Sequence, residues 1–209
     1  MIKTRNRLLA DRVIKGLESR NMCGYYAETK EDALKKALEL IPEGSTIGWG
    51  GSASVSEIGL RDAMLKGNYT VFNRDAATTP EEKREMEIKT FDADYFLCST
   101  NAMTEDGILV NIDGNSNRVA CIAYGPKNVV MIVGMNKIAK DVDSAMSRAR
   151  NIAAPINVQR FPIDVPCKIN GSCVNCKNRD TICCEFLITR YSRHANRFHI
   201  ILVNEDLGF

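Results

Sequence analysis

Five of the eight cysteines crowd between Cys167 and Cys184, in the order Cys167-x5-Cys173-x2-Cys176-x6-Cys183-Cys184. Two cysteines separated by two residues let two thiolates chelate one ion, and two more close a tetrahedral zinc site or hold an iron–sulfur cluster. Cys167, Cys173, Cys176 and Cys183 are the candidate metal ligands. Adjacent side chains seldom bind one ion, so Cys184 is assigned to packing. The spacing is neither a ferredoxin run nor a standard zinc finger, which leaves the cofactor open between iron–sulfur cluster and zinc. The competing reading is a set of reduced or partly oxidised structural thiols. Cys23, Cys98 and Cys121 fall in apolar runs, where a free cysteine acts as a small buried hydrophobe.

A second candidate is the run Gly48-Trp49-Gly50-Gly51-Ser52-Ala53-Ser54-Val55, placed between an apolar strand and a helix. Glycines let backbone N–H groups approach an anion closely, so Gly50, Gly51, Ser52 and Ser54 are candidate binders of phosphate or carboxylate. Ser54 and Glu57 have the spacing of a helix capping box. The run lacks the Gly-Lys-Ser/Thr of a P-loop and the G-x-G-x-x-G dinucleotide fingerprint. A tight strand-to-helix connection is the alternative. A third candidate runs from Ser99 to Gly107, small polar and acidic residues following a buried strand. Ligands of open α/β sheets bind at such strand ends. Glu105 has the chemistry of a general base or nucleophile, and Asn111, Asn115 and Arg118 could complete a polar pocket. These residues equally suit a turn, with Arg118 paired to a surface carboxylate.

The elements that must position these residues follow from hydrophobic periodicity. Leu8, Leu9, Val13, Ile14 and Leu17 share a helical face, and Thr29 is a good N-cap for a helix from Lys30 that ends at Pro42-Glu43-Gly44. Strands are predicted at 23–27, 45–49, 69–72, 94–98, 107–112, 118–123, 128–133 and 198–203, and helices from the Gly-rich run through Met64, over 80–89 and over 138–152. Asp113-Gly114-Asn115 is expected to join 107–112 and 118–123 as an antiparallel pair. Alternation of this kind predicts an α/β fold, a mostly parallel sheet flanked by helices, in one domain over 1–209 with a Cys-rich irregular segment at 155–192.

Twenty-eight basic residues balance 26 acidic ones, dispersed without the basic stripe that a nucleic-acid partner requires. No apolar run is long enough to span a bilayer, and the first residues lack a signal-peptide core, so a soluble cytoplasmic protein without a membrane partner is expected. In a reducing compartment the cysteines favour metal or redox chemistry over a disulfide framework.

Taken together, the Gly48–Val55 run, Thr104-Glu105-Asp106-Gly107 with Gly114-Asn115-Ser116-Asn117-Arg118, Gly125 to Lys137, the Pro166-Cys167 and Gly171-Ser172-Cys173-Val174-Asn175-Cys176 segments, and His199 to Gly208 resemble the LUD (lactate utilization) domain family, in single-domain members related to the LutC/YkgG group. The resemblance covers essentially the whole chain. It implies a fold similar to the ribose-5-phosphate isomerase, glucosamine-6-phosphate deaminase and CoA-transferase superfamily (NagB/RpiA/CoA-transferase-like). There the first Gly-rich loop holds an anion, which corresponds to Gly50, Gly51, Ser52 and Ser54, and some members use a loop glutamate, which corresponds to Glu105. The family name implies a part in oxidation of lactate to pyruvate beside other lactate-utilization proteins that carry iron–sulfur components. Larger relatives fuse the domain to a ferredoxin-like segment, whereas this chain has only its short cysteine insertion. The expected ligand is a small anionic metabolite. Alternatives are an isomerase or CoA-transferase-like enzyme working through Glu105, or a non-catalytic assembly or regulatory subunit; a homo-oligomer is compatible with each.

Overall fold

A computed structural model describes all of residues 1–209. In chain order its elements are α1 (Ile2–Ser19), β1 (Cys23–Ala27), α2 (Lys30–Leu40), β2 (Thr46–Trp49), α3 (Ala53–Glu57), α4 (Leu60–Lys66), β3 (Thr70–Phe72), α5 (Pro80–Phe91), β4 (Tyr95–Cys98), β5 (Ala102–Thr104) and β6 (Leu109–Asp113). There follow α6 (Asn117–Ala123), β7 (Asn128–Gly134), β8 (Ile138–Ala139), α7 (Val142–Arg148), α8 (Ala154–Asn157), α9 (Pro166–Asn170), β9 (Glu185–Thr189) and β10 (Phe198–Val203).

Six strands form one sheet in the order β1-β10-β7-β4-β2-β3, and every neighbouring pair is parallel. Such a sheet must be covered on both faces, and side chains alternate accordingly. Val129, Met131 and Val133 of β7 join Phe198, Ile200 and Leu202 of β10 on one face, against Ala10, Val13 and Leu17 of α1 and Cys121 and Ile122 of α6. Val130, Ile132, Ile201 and Val203 face the other way, onto Ala33 and Ala37 of α2 and Val55, Leu60 and Met64 of α3 and α4. A second, smaller sheet, β8-β5-β6-β9, stands beside it, with β6 antiparallel to both β5 and β9. Its own small core is Ala102, Val110 and Ile112 against Ala145 and Ala149.

The α/β class, the parallel sheet and its flanking helices agree with the sequence reading. Several elements differ. Residues 117–123 are the helix α6, not a strand: the Asp113 carboxylate accepts from the backbone N–H groups of Arg118 and Val119 at 3.0 and 3.1 Å and so caps a helix where a hairpin was expected. The antiparallel partner of β6 is instead β9, inside the segment expected to be irregular. The helix after the Gly-rich run breaks at Gly59, whose φ of +74° suits glycine. Its N-cap is Ser52, which accepts from the Val55 N–H at 3.3 Å, and Glu57 turns away to accept from the Gly208 N–H at 3.1 Å. In α1 the buried stripe is Ala10, Val13 and Leu17, while Leu8 is exposed. Residues 138–152 open with β8 and continue as α7 and a π-helical turn at Ala149–Ala153.

One contact fixes the smaller sheet against α1. A Cβ placed on Gly16 would sit 2.5 Å from the Asp106 carbonyl carbon, and one on Gly107 would sit 2.6 Å from the Leu17 nitrogen. Two backbones thus touch through paired glycines. Alanine in a helix interior ordinarily gains about 1 kcal/mol over glycine, but backbone cannot yield as a side chain does, and overpacking costs about 1–3 kcal/mol. Gly16→Ala is therefore expected to lower the urea unfolding midpoint. A raised midpoint would show that the contact is slack.

Candidate functional site

Because the main strands are parallel, their C-terminal ends lie along one edge, and the segments leaving β2, β4, β7 and β10 frame a cleft of about 880 Å³. Its lining includes Gly51, Ser52, Ser99, Lys137, Gly208 and Phe209 from these segments, Asp113 to Asn115 after β6, and Arg179 to Ile182 with Cys184 from the Cys-rich stretch. Seven basic side chains line it against three aspartates.

The basic residues divide by what they already hold. The Arg118 guanidinium is committed inside the protein: Nη1 donates to Asn111 Oδ1 at 2.6 Å and the Ser99 carbonyl at 3.3 Å, and Nη2 to the Ile112 carbonyl at 2.6 Å and Asn101 Oδ1 at 2.9 Å. Asp113 lies 3.6 Å from Nε. Arg61 pairs with Asp75 at 3.0 Å and donates to the Gly50 carbonyl, and Arg74 pairs with Glu87 at 2.9 Å. Lys83, Arg160 and Arg179, by contrast, are exposed in the cleft without a carboxylate partner. The Arg160 guanidinium rests 5.2 Å from the Phe161 ring centroid and 5.6 Å from that of Phe209, an arrangement that orients it while leaving its donors available.

Lys137 was not singled out by sequence. It follows β7, is only 4 % exposed, and lines the cleft. Its Nζ donates to Ser54 Oγ and Ser99 Oγ, both at 3.0 Å. Burial, followed by the nearby Arg148 and Arg118, pushes its pKa down to about 7, with Glu57 opposing. Its sequence signal is faint: one lysine set off by Asn136 from the apolar run Val129–Met135, in the turn that follows a parallel strand.

Of the expected anion-binding residues, Gly51, Ser52, Asn115 and Arg118 line the cleft. Gly50 lies behind it, donating to the Leu97 carbonyl at 3.2 Å and leaving room for the Arg118 stem, whose Cδ would be 3.1 Å from an added Cβ. Ser54 reaches the cleft only through Lys137, and Asn111 is fully buried beneath Arg118 with its amide nitrogen unpartnered. Glu105 is not among the cleft residues. Its carboxylate is ion-paired with Arg12 at 2.9 Å and Lys140 at 3.0 Å, because the β5–β6 turn faces α1. The structure does not bring Glu105 together with the Gly-rich run.

Cys167, Cys173, Cys176 and Cys183 all lie in one neighbourhood. Burial raises the Cys183 thiol to about 11, and Cys167, Cys173 and Cys176 push in the same direction. Cys173 Sγ accepts from the Asn175 N–H at 3.5 Å and from Arg150 at 3.8 Å. The donor chemistry suits a soft metal, but no three His, Cys, Asp or Glu side chains stand close enough to share one ion as placed. No helix is long and apolar enough to cross a membrane.

Fold and cleft define a parallel α/β protein with a cationic pocket at its strand ends. Within that class the chain belongs to the LUD domain family, whose model matches residues 10–203, and the family connects it with lactate utilization. A DUF162 family protein from Deinococcus radiodurans is similar over 95% of this chain and 98% of its own, at 13% identity and a TM-score of 0.55. Ribose 5-phosphate isomerase A from Neisseria gonorrhoeae (13% identity, 54% of each chain, TM-score 0.35) and eIF2B delta from Chaetomium thermophilum (14%, 68% of this chain and 57% of that one, 0.36) are less similar. No curated protein matches the sequence.

The lowered Lys137 pKa carries a stability consequence. In the unfolded chain the amine holds its proton up to about pH 10.4, whereas in the fold it releases it near 7. Between these values the unfolded state binds more protons, so the lysine's contribution to stability rises with pH, by up to about 1.4 kcal/mol per unit. Lys137→Met is expected to flatten this slope in urea unfolding across that window. An unchanged slope would place the ionisation elsewhere.

Proposed function

We propose that the chain is a lactate-utilization-related protein whose cleft binds an organic anion carrying carboxylate or phosphate groups. The observation that carries this reading is the cationic excess of the lining, seven basic side chains to three aspartates, with Lys83, Arg160 and Arg179 exposed in the cleft and engaged in no ion pair. A guanidinium binds carboxylate or phosphate through two parallel hydrogen bonds. Lactate, pyruvate and sugar phosphates share that feature. The Gly51-Ser52 turn sits beside Arg160, with 3.9 Å between an added Gly51 Cβ and Arg160 Nη2, which leaves backbone open to the same ligand. The ion pairs that hold Glu105 outside the cleft favour this reading over an isomerase or CoA-transferase chemistry working through that residue.

Calorimetric titration with lactate, pyruvate, ribose 5-phosphate, CoA and inorganic phosphate tests it. At least one should bind, more weakly at high salt. Arg160→Ala and Arg179→Ala should each weaken that binding by about tenfold or more, with little change in unfolding midpoint since both side chains are exposed. Absence of binding to all five, or unchanged affinity in both variants, would overturn the reading.

A second reading concerns the thiols. The soft donors Cys167, Cys173, Cys176 and Cys183, gathered in one short stretch, favour a zinc ion or iron–sulfur cluster that would draw these four side chains together and so brace the cleft wall at Arg179 to Cys184. Elemental analysis of anaerobically purified protein should find zinc, or iron with acid-labile sulfide, and Cys176→Ser should lose it. Metal-free protein with four free thiols would leave that wall held by packing alone.

A further inference from the structure

The amine of Lys137 is placed unlike any other lysine in the chain. Most lysine side chains here extend into solvent, whereas this one is 4 % exposed, and its nitrogen meets two serine hydroxyls from different segments, Ser54 in α3 and Ser99 after β4. No carboxylate pairs with it, and Glu57, the acidic side chain that acts against its loss of the proton, spends its carboxylate on the Gly208 N–H. A structural lysine buried for stability ordinarily has a carboxylate partner, because an unpaired buried charge is costly. Hydroxyls are different neighbours: each can accept from an ammonium or donate to a neutral amine, so either state of the nitrogen is satisfied. Gly208 adds a further constraint. A Cβ there would stand 3.3 Å from Nζ and 2.8 Å from Ser54 Oγ, so the backbone passes close over the amine without a side chain to block it.

We propose that Lys137 is a nucleophile that condenses with the carbonyl carbon of an anionic oxo compound bound in the cleft, forming an imine. The proposal rests on the anion-binding reading above and names both the reacting group and the substrate class: a carbonyl compound bearing a carboxylate or a phosphate. The neutral amine's lone pair forms a C–N bond as the carbonyl π bond opens and its oxygen takes a proton. Loss of water, which removes that oxygen and the two amine hydrogens, then leaves C=N. Ser54 and Ser99 can pass the protons, since each touches the nitrogen and each hydroxyl donates and accepts. The lowered basicity of the amine at neutral pH supports this chemistry, because only the unprotonated form attacks, and desolvation beside other cations is a known means of producing it. Lys83, the other lysine lining the cleft, is exposed and serves as an internal comparison.

The test uses the unaltered chain. Protein is incubated with pyruvate in one arm and ribose 5-phosphate in another, reduced with borohydride, digested, and mapped by mass spectrometry. Reduction fixes the imine as a secondary amine. At least one arm should label Lys137, exceeding Lys83 by about tenfold or more near neutral pH, and added lactate, which carries a carboxylate but no carbonyl, should suppress the pyruvate adduct. The arm that labels identifies carboxylate or phosphate as the anionic group. Ser54→Ala and Ser99→Ala, which retain the lysine, should reduce the labelling rate. Calorimetry in parallel separates two kinds of failure. Binding of pyruvate or ribose 5-phosphate without an adduct on Lys137 overturns this proposal and leaves the anion-binding reading standing. Neither binding nor adduct overturns both, and labelling spread evenly over the lysines overturns the special role of Lys137.

Discussion

The guanidinium of Arg118 joins the two sheets. Its four terminal hydrogen bonds reach the Ser99 carbonyl and Asn101 after β4, and Asn111 and the Ile112 carbonyl on β6, while its own helix α6 is capped by Asp113 from the end of β6. These acceptors lie between the parallel sheet and the antiparallel one, and Asn101 Oδ1 also accepts from the Ile112 N–H at 3.0 Å, so the same amide ties the loop after β4 to β6. A buried acceptor left unpaired costs about 1–3 kcal/mol; one planar, permanently charged group satisfies four at once. Gly50 lets the stem of that arginine lie flat against the Gly-rich turn. The position of Ser99, and through it of Lys137, depends on this arrangement.

This reassigns the roles of the polar residues around the strand ends. Arg118 acts as framework, because its hydrogen bonds are spent inside the protein, and Asn111 lies fully buried beneath it with only its amide oxygen engaged. The groups left with capacity are those the framework exposes: the Ser52 turn, the amine between two hydroxyls, and the three cations without carboxylates. Electrostatics then distinguishes two zones. Outward, exposed cations attract an anion at long range and lose that attraction to salt. Inward, a low-dielectric pocket adjusts the ionisation of a single amine.

Much of the fold could be read from the sequence, because a parallel sheet writes its core as apolar runs: β7 and β10, buried on both faces, were found with their boundaries nearly intact. Thr29 was a readable N-cap because its oxygen meets the Asp32 N–H in the same turn of chain. Failures came where a distant partner decided. Val119 to Ala123 has strand-like composition, and only the Asp113 carboxylate, acting across a Gly-Asn turn, makes it a helix. β9 pairs with a strand more than seventy residues earlier, and its short apolar run Phe186-Leu187-Ile188, with Phe186 and Ile188 left exposed, is embedded in the Cys-rich stretch. At the site, Gly51, Ser52, Asn115 and Arg118 were visible as residue types, and the cleft gathers them. Glu105 reads in sequence as a carboxylate in a polar loop, but its pairing with Arg12 and Lys140 is a tertiary fact. Lys137 escaped for the same reason: a lysine after an apolar strand reads as its solvated end until the chain folds over it.

The size of the cleft bears on what it holds. Pockets of roughly 300–1,000 Å³ suit ligands much larger than a three-carbon acid, and this one, at about 880 Å³, lies toward the upper end. A three-carbon acid fills a small part of that volume and so meets only some of the basic side chains that line the cleft. A ligand that presents its reacting end to the buried amine and an anionic end to the exposed cations would satisfy both zones. The arrangement therefore favours an extended anion, or a small acid bound together with a second anionic molecule. The Cys-rich wall, which supplies Arg179 and ends at Cys184, sets the far boundary of whichever ligand is bound.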